Sequence, residues 1–444
     1  MKQRKIGVIG GGASGMVAAI TAAEAGAEVT LLESGERVGK KILSTGNGKC
    51  NLGNKTLSKA DYNGASEEWI GQLLAQFGTA ETEAFFQKQG LWLKEKNGYL
   101  YPLAEQAAVV VDVLRQGLEK NRVNVITQCK ITEIKAIRGR GGNAGTVPCF
   151  EVLTEQGRRF SFDRIILACG SKAAPKTGSD GSGYVLAQKL GHRVVPVVPA
   201  LVQLRCRETF FREIAGVRAE VLLTVRPETP KDIKSGRNGG TGNGQTIREY
   251  GELQLTDYGI SGIPVFQLSR KVNYILQNTK HTEGAAVEIS IDFLPELAKE
   301  DADVLWERRL TEALSKEKNL SMPTVEAFFT GILNKKLMYL FIKLAGLKRE
   351  TRLNEADRER LKLVFAMCKD FRVHVTGSNS FDQAQVCAGG VDTAQIDTTM
   401  ESKLVPGLYF AGELLDVDGR CGGYNLHWAW CSGYLAGKNA AMSF

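Results

Sequence analysis

The chain has 444 residues, 43% of them hydrophobic and 24% charged, with a formal net charge of +8. That length exceeds one ordinary core, so two or three domains are expected, and no apolar run approaches the roughly 20 residues of a membrane span. The nine cysteines are scattered and odd in number, which argues against a disulfide framework, and Lys and Arg are spread without a dense block, so nucleic-acid binding is not demanded.

Ile6-Gly7-Val8-Ile9 reads as a strand starting almost at the N-terminus, so no export signal is expected and a reducing cytoplasm is the expected location. Gly10-Gly11-Gly12-Ala13-Ser14-Gly15 follows and opens a helix over 14–25. Gly10 permits a tight turn, Gly12 lets backbone approach a pyrophosphate, and Gly15 lets the helix pack close. The helix start offers unpaired N–H groups and partial positive charge. A second strand over 28–32 ends at Glu33, whose carboxylate suits a ribose diol and disfavours a 2′-phosphate. Strand, glycine turn, helix and acid in that order make a dinucleotide site.

A long loop over 34–54 contains Thr45-Gly46-Asn47-Gly48-Lys49-Cys50-Asn51. Its small residues suit a flat ring and its Asn and Lys a polar ring edge; a surface turn is the alternative. Helical patterns cover 67–89 and 104–120, and strands cover 123–126, 130–136, 150–154, 158–162 and 164–168. Segment 178–183 opens a helix ending near Leu190. It reads either as a second nucleotide turn or, more simply, as an N-cap at Ser179 or Asp180. Strands over 201–205, 219–225, 251–255 and 286–293 form an antiparallel unit with a helix over 263–277, possible as a barrel. Helical periods then cover 301–314, 324–332, 335–344 and 355–367, before strands over 371–376 and 383–388. Segments 138–145 and 235–245 read as Gly/Asn-rich hairpin insertions.

An apolar strand over 407–411 leads through Gly412 and Glu413 to Gly422-Gly423-Tyr424-Asn425 and a helix over 426–441. A second helix start is useful if the ligand has a second anionic region, as reduced flavin does at its pyrimidine edge. A helix docked only to complete the fold is the alternative. Cys50 and Cys421 sit near glycine turns, either beside a flavin or as buried inert thiols. His427 reads as a general acid or as a packed or capping histidine, and Tyr424 as a hydrogen-bond donor to substrate or a core tyrosine. No catalytic residue is assigned. No His/Cys/acid cluster has metal spacing, so no metal is expected.

These motifs, with Gly259-Ile260-Ser261-Gly262-Ile263-Pro264, resemble the bacterial NAD(P)/FAD-dependent oxidoreductase flavoproteins, a family that includes aminoacetone oxidase and a bile-acid-operon flavoprotein acting on 3-oxo-Δ4,6 bile acids. The resemblance covers essentially the whole chain. It departs at residues 45–49, where many relatives carry Gly-Gly-Gly-Arg. It implies bound FAD in an α/β fold. The expected architecture is a doubly wound Rossmann-like domain (1–193 and 389–444), an inserted antiparallel β-barrel-like domain (194–295 and 370–388) and a nested helical domain (296–369). It also implies residue roles. Gly10, Gly12, Ala13, Ser14 and Gly15 hold the pyrophosphate, Glu33 the adenosine ribose, and Ile131 offers backbone to the adenine. Lys41 and the loop Thr45, Gly46, Asn47 to Asn51 flank the flavin. Ala168, Cys169 and Gly170 pass the dinucleotide, and Gly412, Glu413, Gly423, Asn425 and Leu426 close over the ribityl chain and ring.

The expected function is an FAD oxidoreductase passing hydride to a conjugated 3-oxo compound of bile-acid type, with NAD(P)H as transient donor. An amine oxidase of aminoacetone type using oxygen is the rival enzyme. A flavin-bearing RNA-modifying or RNA-binding protein is a reading of another class. It needs a basic face with stacking aromatics, and no such block is seen in the linear sequence. The expected partner is a small molecule, with neither nucleic acid nor membrane.

Overall fold

The computed structural model describes residues 3–137, 149–225, 246–279, 286–315 and 322–442. The insertions expected over 138–145 and 235–245 lie outside the described residues. The chain divides into two compact units, Met1–Ala200 with Ser380–Phe444, and Leu201–Asn379.

The first unit is built on a five-stranded sheet in the order Leu408–Phe410, Arg164–Leu167, β1 (Lys5–Ile9), β2 (Glu28–Leu32), Asn124–Ile126. Every pair is parallel. These strands are apolar runs because a parallel sheet is covered on both faces. Between β1 and β2 runs α1 (Ala13–Glu24), buried without a break from Ser14 to Ala22. A three-stranded antiparallel sheet, Arg159–Phe162, Cys149–Thr154 and Ile131–Ile137, adjoins it in the chain.

The C-terminal helix, Tyr424–Met442, packs on α1 with almost no side chain between the backbones. A Cβ on Gly433 would stand 2.4 Å from the Ser14 carbonyl oxygen, and one on Gly437 would stand 2.3 Å from that of Ala18. Both helices carry small residues four apart, one above the other on a single face. The pairs 14 with 433 and 18 with 437 run in the same chain direction, so both helix starts lie at one end.

Three features differ from the sequence expectation. The helical pattern over 67–89 is two helices, Glu67–Gln76 and Thr79–Lys88, because Gly78 caps the second by donating its N–H to Glu81 Oε2 at 2.8 Å. A small sheet of Gly53–Asn54, Tyr99–Pro102 and Leu93–Lys96 was not anticipated. Val194–Ala200 pairs with Val386–Val391 inside the first unit, so the breaks fall at Ala200/Leu201 and Asn379/Ser380 rather than at 193/194 and 388/389.

The second unit contains a closed six-stranded barrel, Leu204–Cys206, Gly259–Gly262, Ile247–Leu255, Arg218–Val225, Val287–Asp292 and Phe371–Ser378. The helices Lys299–Ser315, Val325–Phe329, Lys335–Leu344 and Arg358–Lys369 share one apolar core with it. Phe341 packs on Phe293 and Phe371. The expected helical domain over 296–369 therefore has no separate core.

Replacing Gly437 by alanine places a methyl against backbone that cannot move aside. Overpacking of this kind costs about 1–3 kcal/mol. Urea unfolding of Gly437→Ala is expected to show a lower midpoint with an unchanged slope, whereas Gly26→Ala, whose Cβ meets open space, changes stability only through its positive φ.

Candidate functional site

β1 ends at Gly10, whose φ of +106° belongs to glycine; a Cβ there would stand 2.4 Å from the Ala168 oxygen. A Cβ on Gly15 would collide with the Gly10 oxygen at 1.8 Å, so this glycine seats α1 on its own turn. Gly12 is the opposite case. Nothing lies within 4 Å of the position its Cβ would take. That open side faces the start of α1, where first-turn amides lack intrahelical partners.

Glu33 follows β2. Its Oε2 accepts from Gly11 N and its Oε1 from Gly35 N, both at 2.6 Å. A carboxylate has about four acceptor directions, so this brace leaves capacity for a further donor. A cleft runs from here along Gly10–Ser14 and past Ile131, Ala168, Cys169 and Gly170, to Lys41, Glu413, Asn425 and Leu426. At that far end Lys41 Nζ lies 2.6 Å from Glu413 Oε2, and Ser171 Oγ donates to the same oxygen at 2.9 Å.

The remaining expected residues lie outside the cleft lining. Gly15 and Gly412 serve packing: a Cβ on Gly412, φ +73°, would stand 2.4 Å from Ser14 Oγ. Gly46 and Asn47 are left-handed and exposed, and Thr45 Oγ1 donates to Ile42 O. Asn51 meets the start of the C-terminal helix, with Oδ1 2.6 Å from where Gly423 would carry a Cβ. Asn425, which does line the cleft, uses its side-chain amide on Gly419, accepting from Gly419 N at 2.8 Å and donating to Gly419 O at 2.9 Å.

Sequence reasoning missed Arg37, Lys40 and Lys130, which line the cleft with Lys41. Four cations line the cleft with two carboxylates, Glu33 and Glu413, so the cleft has a positive excess suited to a doubly charged pyrophosphate. Segment 178–183 belongs to the same cleft, since Gly178, Ser179 and Ser182 line it. The cap of helix Ser182–Lys189 is Gly181, with Asp180 Oδ1 accepting from Ser182 N, while Ser179 Oγ donates to Ser171 O. Neither Ser179 nor Asp180 is the capping residue, because φ of +82° at that position favours glycine.

The thiols do not look like redox groups. Burial pushes Cys50 and Cys169 each up to about 12 and raises Cys421, so the nucleophilic thiolate is disfavoured. His427 is fully buried, with Nδ1 3.2 Å from the Tyr62 hydroxyl, and burial lowers its pKa to about 4. It is neutral near pH 7 and acts in packing rather than as an acid.

The glycine-lined opening, helix start, bracing carboxylate and basic wall fit a dinucleotide of the FAD type. A family model described as "HI0933-like protein Rossmann domain" matches residues 4–439. The chain belongs to this HI0933-like family. Among its relatives, the 3-dehydro-bile acid delta(4,6)-reductase of Clostridium scindens is 40% identical over 440 residues, 98% of this chain and 99% of its own. The ribosomal RNA dihydrouridine synthase of Haemophilus influenzae is 29% identical over 432 residues, 96% of each chain. That of Escherichia coli is 29% identical over 439 residues, 97% of this chain and 96% of its own. The crystal structure of 3-ketosteroid delta1-dehydrogenase from Sterolibacterium denitrificans in complex with 1,4-androstadiene-3,17-dione matches over 100% of both chains, with a TM-score of 0.50 and 12% identity, and shares the fold. This HI0933-like chain is a flavin-dependent oxidoreductase of the FAD-binding Rossmann type. Among the described residues no helix is long and apolar enough to cross a membrane.

Two measurements probe the site. Gly12→Val fills open space, so the apo chain keeps its urea midpoint while FAD binding, followed by flavin fluorescence quenching, weakens at least about tenfold, or about 1.4 kcal/mol. For His427, the unfolded imidazole takes up a proton near pH 6.5 that the folded one refuses until about pH 4. Its contribution is therefore complete above pH 6.5 and is lost as pH falls toward 4, by about 3 kcal/mol in all. Urea titrations of His427→Gln should show a flatter stability profile across that window than the parent chain.

Proposed function

We propose that the cleft holds FAD with its pyrophosphate at Gly10, Gly12, Ala13, Ser14 and the α1 start, its ribose diol at Glu33 and its adenine beside Ile131. Ala168, Cys169 and Gly170 form the wall along the dinucleotide. Lys41, Glu413, Asn425 and Leu426 take the flavin end, and the 45–51 loop, outside the lining, flanks it. Bound FAD supplies the hydride transfer. The chain's own groups bind and orient. Lys41 is held at that end by Glu413, whose Oε2 also accepts from Ser171, and the start of the C-terminal helix adds partial positive charge.

The proposed reaction is reduction of a carbon–carbon double bond conjugated to a carbonyl, with NAD(P)H as transient electron donor. Such a bond accepts hydride at its β carbon and a proton at its α carbon. A 3-oxo steroid of bile-acid type is the leading substrate. The 40% identity to the Clostridium scindens reductase across nearly the full length of both chains carries that reading. A second reading is uracil in RNA. It is favoured by the two dihydrouridine synthases, since uracil also has a double bond conjugated to a carbonyl.

Anaerobic spectroscopy of the FAD-loaded protein tests the reaction. NADH or NADPH should bleach the flavin, and a 3-oxo-4-ene bile acid should then restore its colour with formation of the saturated ketone. Bleaching by a primary amine instead, with peroxide released in air, would refute it in favour of amine oxidation.

A further inference from the structure

The hairpin beside the Gly422–Gly423 turn presents a face with no role in the cofactor site. Its strands, Leu93–Lys96 and Tyr99–Pro102, pair with Lys94 opposite Tyr101 and Lys96 opposite Tyr99. Opposite residues, and residues two apart on a strand, share a face. Trp92, Lys94, Lys96, Tyr99, Tyr101 and Leu103 therefore form one strip, closed at its outer end by Leu103 N donating to Trp92 O at 2.7 Å. The reverse face carries Leu100 and Pro102, both buried. On the strip, Trp92 is 77% and Leu103 52% exposed. Lys49 joins it through Glu105, which lies 3.0 Å from Lys49 and 2.7 Å from Lys94.

The inner end of the strip abuts the start of the C-terminal helix. A Cβ on Gly422 would stand 2.9 Å from Tyr99 Cε1, and one on Gly423 would stand 2.8 Å from the oxygen of Gly53, the neighbour of the strand residue Asn54 that faces Tyr99. From Tyr99 to Leu103 the strand rises about 13 Å. An aromatic and cationic strip thus runs from that turn to open surface.

We propose that this strip docks single-stranded RNA and delivers it toward the flavin end of the cleft. The inference rests on the second reading above, uracil reduction. Three lysines against one carboxylate leave an excess of positive charge that complements a phosphate backbone. Tyr99, Tyr101 and Trp92 offer ring faces on which successive bases stack without regard to sequence. A small substrate is held in a concave pocket that buries most of its surface, and an open strip with an exposed indole is the wrong shape for one. The linear sequence hides the arrangement because its lysines and aromatics come from two strands and a loop.

Fluorescence anisotropy of a labelled uridine-rich single-stranded oligoribonucleotide, titrated with the FAD-loaded full chain across a salt series, tests this. Trp92→Ala is expected to weaken binding about tenfold. Lys94→Ala and Lys96→Ala should each lower the slope of log affinity against log salt by about 0.7. Flavin spectrum and bleaching by NAD(P)H should stay unchanged in all three. If the parent chain binds RNA and the variants bind it equally well, the strip is wrong and the RNA reading stands. If the parent chain retains no RNA at low salt while a 3-oxo-4-ene bile acid reoxidises its flavin, the RNA reading falls and the strip with it. Conversion of a dimer to a monomer by Trp92→Ala in sedimentation velocity, with RNA affinity unchanged, would assign the face to a second copy of the chain and overturn the proposal.

Discussion

The close approach of α1 and the C-terminal helix governs the cofactor site. Gly433 and Gly437 lie on the backbone of Ser14 and Ala18 with no side chain to hold the helices apart. Two helices that run in the same direction at such short range align their dipoles unfavourably. Both positive ends point the same way, and an anionic ligand at that end relieves the repulsion. The contact also sets a stagger. α1 begins beside Gly433, but the C-terminal helix begins at Tyr424, so it projects about 13 Å farther, at 1.5 Å per residue. One helix start thus serves the near part of the cleft and the other a part farther along it.

Charge in the cleft is divided in the same sense. Glu33 gathers the amides of Gly11 and Gly35 and so fixes the turn before any ligand arrives. Lys41 is held against Glu413, whose Oε2 also accepts from Ser171 Oγ. The Glu33 carboxylate and the Lys41–Glu413 pair are both positioned by short hydrogen bonds, and a rigid polar site loses less entropy on binding.

The glycine turn was legible in the sequence because its physics is local: a strand, a turn that needs glycine, a helix start and an acid lie within one βαβ unit. The barrel was legible in outline from alternating apolar positions. The hairpin over 91–103 was not, since Lys94, Glu95 and Lys96 give no apolar alternation, and the strand forms through pairing with Tyr99–Pro102. The basic wall from Arg37, Lys40 and Lys130 was also hidden, because these residues converge only when β2 and the strand after Lys130 are in place. Gly433 and Gly437 looked like ordinary helix glycines, and their purpose appears when α1 lies against them. The boundaries moved because Val194–Ala200 finds its partner nearly two hundred residues later, at Val386–Val391.

That same separation has a consequence for synthesis. The small-residue face of α1 is made about four hundred residues before the helix that covers it. At bacterial-type elongation rates the interval is on the order of half a minute. Throughout it, Ser14 to Ala22 lacks the surface that buries it in the finished chain. The nascent N-terminal half is therefore an incomplete Rossmann unit with an uncovered helix, open to chaperones or to wrong neighbours, and full-strength flavin capture waits until Tyr424–Met442 has been made.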